Sequence, residues 1–356
     1  MKIVFYINTL GGGGAERVVA TLAKALSDFN EVIVVNSYPV DKEYNLNDRI
    51  KHVYLEKNNT ATNFVSRNIG RVLRLRKLLK NEKPDVLISF MAEPNYRAIV
   101  ASLGLKNRVI ISIRNDPNRE YPTAINRLLA KTLFHLANGV VFQTEEAKRW
   151  FPKSIQKKST IIYNQVDEVF YNTKYNGDRH DIVTTGRLTA QKNHKMLIRA
   201  FASIADKITD NLIIYGEGEL RSELENLIVE LHMENRIFLP GRTENVAETI
   251  KSAKLFVLSS DYEGMPNSLM EAMALGIPCI STDCPCGGPK ELLEIQESGV
   301  LVSVNDEKML SKNIIYLLKN EAVRAIYSDN ALITSNSFSA NVISRKWSTY
   351  ISETII

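Results

Sequence analysis

Two carboxylates, Glu263 and Glu271, bracket the loop of the segment Asp261 to Ile280, DYEGMPNSLMEAMALGIPCI, with seven residues between them. The apolar run LFVLSS, Leu255 to Ser260, precedes it at strand length, and Leu269 to Leu275 reads as a helix stopped by Gly276 with Pro278 just beyond. Strand, tight loop and helix N-terminus in succession aim unpaired backbone N–H groups and the positive end of a dipole at one spot, where an anion can sit. A carboxylate beside an anion site needs a separate task, such as gripping sugar hydroxyls, and Glu263 is placed for it. Glu271, expected inside the first helical turn, has a second explanation, because Ser268-Leu269-Met270-Glu271 fits a capping box.

A glycine run, Gly11-Gly12-Gly13-Gly14, lies between a strand expected over Lys2 to Thr9 and a helix expected from Ala15 to Leu26. Glycines at such a junction let a ligand approach the backbone closely. The run is a poor dinucleotide fingerprint. Its third small position falls on Glu16, and the next strand, EVIVVNSY, ends in Asn36 and Ser37 where an acidic residue would be needed. Cys279, Cys284 and Cys286 form no disulfide framework and suit a reducing cytoplasm. The Cys284-Pro285-Cys286 pair lacks the second pair or nearby His of a zinc site. No Asp-x-Asp occurs, so the usual carboxylate pair for a metal-bound diphosphate is missing.

The elements that must position these residues alternate between strand and helix. Strands are expected at Glu31 to Asn36, Val53 to Leu55, Asp85 to Phe90, Val109 to Ile113, Val140 to Gln143 and Ile161 to Tyr163. Such alternation implies a parallel sheet with ligands outside the strands' C-terminal ends, so Arg114, Asn115 and Asp116 should project into a crevice. Phe170 to His180 reads as a linker. A second series follows: strands Ile182 to Thr184, Leu212 to Tyr215, Ile237 to Leu239 and Leu255 to Ser260, with helices His194 to Ile204, Leu220 to Leu231 and Val246 to Ser252 between them. The expected organisation is α/β, with two doubly wound Rossmann-like domains at 1–167 and 181–338, a linker at 168–180 and a last helix within 339–356.

At 356 residues, 44% hydrophobic and 24% charged, the chain has the size and composition of an ordinary soluble two-domain protein. No apolar run approaches the roughly 18 residues that span a bilayer, and the start reads as a first strand rather than a signal peptide. Residues 1–170 hold 26 Lys and Arg against 16 Asp and Glu, a net of +10, while the rest holds 19 against 24, a net of −5. A basic first half suggests an anionic partner: membrane surface, phosphate-bearing lipid or nucleic acid. Phe64 to Lys83 is expected as a basic amphipathic helix, with Val65, Ile69, Val72, Leu75, Leu78 and Leu79 in one stripe and six Arg and Lys around it. The stripe packs on the sheet with the cations outside, the helix docks on an anionic membrane, or both hold at once with the cations facing the membrane.

Five motifs in order resemble the family 4 glycosyltransferases: GGGGAE (Gly11 to Glu16), GRLTAQKN (Gly186 to Asn193), YGEGELRSEL (Tyr215 to Leu224), LPGR (Leu239 to Arg242) and EGMPNSLMEAMALGIP (Glu263 to Pro278). The resemblance implies the GT-B fold, two Rossmann-like domains facing across a cleft, and retaining, metal-independent transfer from a nucleotide sugar, a UDP-sugar being favoured. A leaving nucleoside diphosphate gathers negative charge, which cations and N–H donors must stabilise. By the resemblance Arg187 and Lys192 bind that diphosphate, joined by helix N-termini at Gly13-Gly14 and in Met265-Pro266-Asn267-Ser268-Leu269. Glu271 would accept from ribose hydroxyls, Glu263 would hold the donor sugar, and Gly216, Arg242 and Thr243 would meet the base. A front-face route, in which the leaving phosphate takes the acceptor's proton, is expected in place of a covalent Glu263 intermediate.

Arg114 stands where many members have a donor-contacting His; Arg114 or Asp116 would either take over that contact or, with Glu16, bind the acceptor. Asn164 to Asp167 resembles the interdomain hinge, with Gln165 in place of Gly or Pro. The helix in 339–356 would cross back to the first domain. The expected protein is a cytoplasmic enzyme, peripheral on the inner face of the cell membrane through its basic first domain. Its acceptor would be a glycolipid or polyprenyl-linked oligosaccharide, with no nucleic-acid partner. Domain closure would exclude water from the donor. A GT-B-like sugar-nucleotide epimerase and a non-catalytic sugar-nucleotide-binding subunit are the rival readings.

Overall fold

Runs such as KIVFYI and EVIVVN have no polar face to offer water, so they belong in parallel sheets covered on both sides. Thirteen such strands form two sheets in the protein, a computed structural model that describes residues 1–57 and 63–355. The first unit comprises Met1–Gln165 with Ala340–Ile356, and the second Val166–Ser339. Residue 356 of the expected terminal segment lies outside the described residues.

The strands of the first unit are β1 (Lys2–Ile7), β2 (Glu31–Asn36), β3 (Lys51–Tyr54), β4 (Val86–Phe90), β5 (Arg108–Ser112), β6 (Gly139–Phe142) and β7 (Ser159–Ile161). All are parallel, in the order β3-β2-β1-β4-β5-β6-β7. The order reverses between β1 and β4, which opens a crevice at their C-terminal ends. The Gly14–Ser27 helix covers the sheet with Val18, Val19, Leu22 and Leu26. From the chain's far end, the Ala340–Ile355 helix completes the same core with Ile343, Trp347 and Ile351, all fully buried. Trp347 lies 5.7 Å from Phe90, while Tyr350 Oη accepts from Val140 N–H at 2.8 Å and donates to the Lys158 carbonyl at 2.6 Å.

The second unit holds β8 (His180–Thr185), β9 (Leu212–Tyr215), β10 (Ile237–Gly241), β11 (Ala253–Leu258), β12 (Cys279–Thr282) and β13 (Gly299–Val302). They are parallel in the order β10-β9-β8-β11-β12-β13, with the reversal between β8 and β11.

Several expectations are corrected. The 168–180 linker contains the Glu168–Asn172 helix, which belongs to the second unit: Phe170 is buried and Tyr171 Oη donates to the Ser335 carbonyl at 2.7 Å. Strand β7 lies two residues before the expected Ile161 to Tyr163, because the ladder pairs Ser159 with Val140. The Phe64–Glu82 helix does not hide its whole apolar stripe: Leu75 and Leu79 are buried, whereas Val65 and Ile69 are 61% and 55% exposed. Its cations are not all outside either. Arg71 is buried and donates twice to Glu56 at 3.0 and 2.8 Å, Arg74 bonds the same carboxylate, and Arg76 donates to the Ala101 and Leu103 carbonyls. Glu56, just past β3, draws Arg71 inward and pairs with Arg74 at the surface, pairings invisible in the helix's own periodicity.

Candidate functional site

In the second unit, the sheet's reversal makes the loops after β8 and β11 neighbours, and these loops carry GRLTAQKN and DYEGMPN. Lys192 lies at the end of a 3-10 turn, Ala190–Lys192, and its ammonium meets Glu263 Oε1 at 2.5 Å. Ser260 Oγ, three residues closer to β11, donates to the same oxygen at 2.7 Å, and Gln191 Nε2 reaches Oε2 at 3.5 Å. Gln191 Nε2 also donates to the Tyr262 carbonyl at 3.0 Å, and Asp261 N–H donates to the Gln191 carbonyl at 2.8 Å. The side chains of Lys192 and Glu263 keep 13% and 9% of their exposure, so this is a nearly buried ion pair stitched by backbone contacts. Arg187 is exposed, with Nη2 3.5 Å from Gln191 Oε1.

The helix after the loop is Asn267–Ala274, capped by Pro266. The capping box does not form. Ser268 sits inside the helix rather than at its cap, its Oγ makes no hydrogen bond among the described residues, and Glu271 falls beyond the first turn. Glu271 is 5% exposed in the middle of the helix, while Met265, Pro266 and Leu269 are buried around the turn. The first-turn N–H groups of Asn267, Ser268 and Leu269 have no intrahelical acceptor, as at any helix start.

Two close backbone approaches shape the site. A Cβ on Gly216 would lie 1.8 Å from the Gly186 carbonyl oxygen, so only glycine lets the loop after β9 touch the loop after β8. Gly216 N–H donates to the Gly241 carbonyl at 2.9 Å, which ties in β10; beyond it Arg242 is exposed and Thr243 Oγ1 lies 2.8 Å from Thr249 Oγ1. A Cβ on Gly288 would lie 1.7 Å from the Gly264 carbonyl, so the turn after β12 presses on the Glu263 loop. Sequence reasoning missed Gly288, Ser260 and Gln191. The Gly287-Gly288 doublet after Cys286 was the available signal for the first; the other two acquire a role only from strand order.

Two buried groups lie beside this pair. Burial, with the negative charge of Glu263 adding, pushes the Cys284 thiol up to about 12, so it stays protonated. Burial, with the Lys192 charge adding, lowers His194 to about 4, so its imidazole is neutral at pH 7.

In the first unit the glycine run leads into the Gly14–Ser27 helix, with Gly13 as cap. The Glu16 carboxylate folds back over Gly13, where a Cβ would meet Oε2 at 2.1 Å. Arg114 is 8% exposed; its guanidinium bonds Asn164 Oδ1, reaches Ser112 Oγ at 3.3 Å and stacks 5.3 Å from the Phe90 ring. Burial lowers its pKa to about 9, partly offset by Glu120. Asp116 caps the Pro117–Glu120 helix through Asn118 N–H at 2.9 Å. Sequence reasoning also missed a buried cation on this sheet's C-terminal side: Arg97 donates to Asn8 Oδ1 at 2.8 Å and Ser37 Oγ at 3.2 Å, just past β1 and β2.

Comparison with known proteins places these loops in a family. Residues 12–170 match the profile described as Glycosyltransferase Family 4, and residues 166–333 the profile described as Glycosyl transferases group 1. The chain is 30% identical over 99% of both chains to GalNAc-alpha-(1->4)-GalNAc-alpha-(1->3)-diNAcBac-PP-undecaprenol alpha-1,4-N-acetyl-D-galactosaminyltransferase of Campylobacter jejuni. It is 24% identical to an amylovoran biosynthesis glycosyltransferase of Erwinia amylovora, covering 97% of this chain and 98% of the other. Among solved structures, HepE of Anabaena in complex with UDP superposes with a TM-score of 0.83 at 18% identity, covering 99% of this chain and 100% of that one. Sucrose-phosphate synthase from Thermosynechococcus elongatus gives 0.84 at 16% identity, covering 99% and 98%. The chain belongs to glycosyltransferase family 4 and is a glycosyltransferase of the GT-B fold.

Proposed function

We propose that this enzyme moves a sugar from a nucleotide donor, a UDP-sugar for preference, to a polyprenyl-linked oligosaccharide or glycolipid in surface polysaccharide synthesis, with retention and without a metal. The observation that carries this reading is the nearly buried Lys192–Glu263 pair at the reversal between β8 and β11, beside the start of the Asn267–Ala274 helix. The acceptor class is supported by the Campylobacter relative, whose name specifies an undecaprenol diphosphate-linked glycan, and the donor class by HepE complexes with UDP and UDP-glucose.

In this reading Arg187, Lys192 and the N–H groups of Asn267 to Leu269 take the diphosphate, and Glu271 accepts from the ribose hydroxyls. Gly216, Arg242 and Thr243 border the base. Glu263 already receives Lys192 and Ser260 on one oxygen and Gln191 on the other, which suits a fixed negative charge that steadies a positively charged sugar carbon better than a nucleophile. The bond from sugar carbon to phosphate oxygen breaks, the acceptor oxygen bonds to that carbon on the same face, and the acceptor's proton passes to the leaving phosphate. Glu16, Arg114 and Asp116 are the acceptor residues of the first unit, with Arg114 held by the side chains of Asn164 and Ser112 and Asp116 by its cap on the Pro117–Glu120 helix. The enzyme works at the cytoplasmic face of the cell membrane, to which its basic first half is drawn; no helix among the described residues is long and apolar enough to cross it.

A panel of nucleotide sugars without acceptor or added metal, read by binding and slow hydrolysis, tests this. One donor should be preferred, with binding weakened in Glu271→Ala and Lys192→Ala; no binding by the wild type would remove the transferase reading's chemical basis. A trapped glycosyl–Glu263 adduct in a mass spectrum would replace the front-face route with a covalent one.

A further inference from the structure

The Ala124–Leu133 helix and the 3-10 turn Phe134–Leu136 that continues it have one face in the core of the first unit. Ala130 and Phe134 are fully buried, and Phe134 packs among Tyr96, Tyr121 and Phe151 with ring centroids 5.3 to 5.9 Å away. A face opposite such a core is normally polar. Here it carries Ile125, Leu128, Leu129 and Leu136, exposed by 70%, 64%, 40% and 54%. Their spacing puts all four on one side of a helix.

The stripe ends at a basic notch. Leu136 and Leu103, the latter 49% exposed, line a depression of about 210 Å³ whose rim includes Lys106, Asn107, Arg108 and Asn138. Among the described residues no carboxylate pairs with Lys106 or Arg108. From Tyr121 to Thr144 the chain has Arg127 and Lys131 and no Asp or Glu; acidic residues resume at Glu145.

An exposed apolar stripe on a carboxylate-free, cationic segment of the chain, ending at the Lys106 and Arg108 notch, matches an anionic bilayer, whose acyl boundary takes the apolar side chains while its phosphates meet Lys and Arg. We infer that this face is the membrane-docking surface of the first unit. Ile125, Leu128, Leu129 and Leu136 enter the acyl boundary, and the notch at Lys106 and Arg108 seats a lipid phosphate. The inference rests on the reading of a membrane-linked acceptor, and it moves the contact away from the Phe64–Glu82 helix, where Glu56 and main-chain carbonyls engage Arg71, Arg74 and Arg76. A second copy fits the face poorly, because a two-fold contact would set like cations against each other.

The test is co-sedimentation of the full chain with vesicles of phosphatidylcholine alone and mixed with phosphatidylglycerol. The wild type should bind the mixed vesicles more tightly. I125S/L128S/L129S should lose about tenfold or more in affinity. K106E/R108E should lose the preference for phosphatidylglycerol, and K77E/K80E on the Phe64–Glu82 helix should stay within about twofold of wild type. No wild-type binding at low salt, a triple variant that binds normally, or a dimer in light scattering that the triple variant dissolves would each overturn the inference. Donor hydrolysis by the wild type in vesicle-free buffer separates the two readings: hydrolysis without vesicle binding removes the docking surface and leaves the transferase standing, and vesicle binding without hydrolysis does the reverse.

Discussion

At the scale of residues, the consequence of the Lys192–Glu263 pair is that neither charge tolerates the loss of the other. Both were taken from water on folding, and among the described residues an orphaned carboxylate here has Ser260 and Gln191 to turn to. Lys192→Met is expected to cost on the order of 3 kcal/mol in urea unfolding, and K192M/E263Q less than that single variant, because the second change removes the stranded charge. His194 makes a pH prediction with a definite sign. Its folded value of about 4 lies below the unfolded value of about 6.5. Between those limits the unfolded chain binds the extra proton, so stability is intact above pH 6.5 and is lost progressively as pH falls toward 4. The full span is worth about 3 kcal/mol. Thermal melts of His194→Leu across that window should show a flatter pH dependence than wild type, and an unchanged slope would assign the loss to other groups.

At the scale of elements, two glycines of the same composition value have opposite meanings. Gly288 holds the turn after β12 against the Glu263 loop, and a methyl group there would strike the Gly264 carbonyl and Pro266. Gly288→Ala should lower the melting temperature and weaken donor binding together, since the displaced loop carries the carboxylate. Gly70 lies within the Phe64–Glu82 helix, where the nearest atoms to a Cβ belong to the far end of the flexible Arg74 side chain. Gly70→Ala should therefore stabilise the chain by roughly 0.5–1 kcal/mol and leave donor binding alone. Calorimetry and equilibrium binding on the two variants read both effects.

At the scale of the whole molecule, the chain supplies two separate cores, and its ends do not respect their order. The first unit is closed by the Ala340–Ile355 helix, which follows the second unit in sequence. Unfolding by urea is expected in two transitions rather than one, because two cores need not melt together. UDP should raise the transition of the second unit, by the mass-action stabilisation any native-state ligand provides. A chain ending at Ser339 loses Ile343, Trp347 and Ile351 from the first core, so its first-unit transition should fall while the UDP-sensitive one stays in place. Trp347 is lost with the truncation while Trp150 stays, so the first transition is best compared between the two chains by hydrogen exchange in β1, β4 and β5.

What the chain determined by itself was local. Apolar runs of strand length alternating with helical stripes announced parallel sheets, because a strand buried on both faces cannot hide polar residues. The expected strands Glu31–Asn36 and Leu212–Tyr215 are found residue for residue. The motif at Glu263 to Pro278 marked a strand, a tight turn and a helix start. Partnership was decided only in three dimensions. Lys192 and Glu263 are 71 residues apart and meet because β8 and β11 are neighbours, which no local pattern specifies. Ser268 and Glu271 satisfied a capping pattern that the helix did not use, since Pro266 began it earlier. The Phe64–Glu82 and Ala124–Leu133 helices show the same limit. Periodicity found an apolar side on the first but not how much of it a neighbour would cover, and burial of an apolar side chain is a property of the surface packed against it.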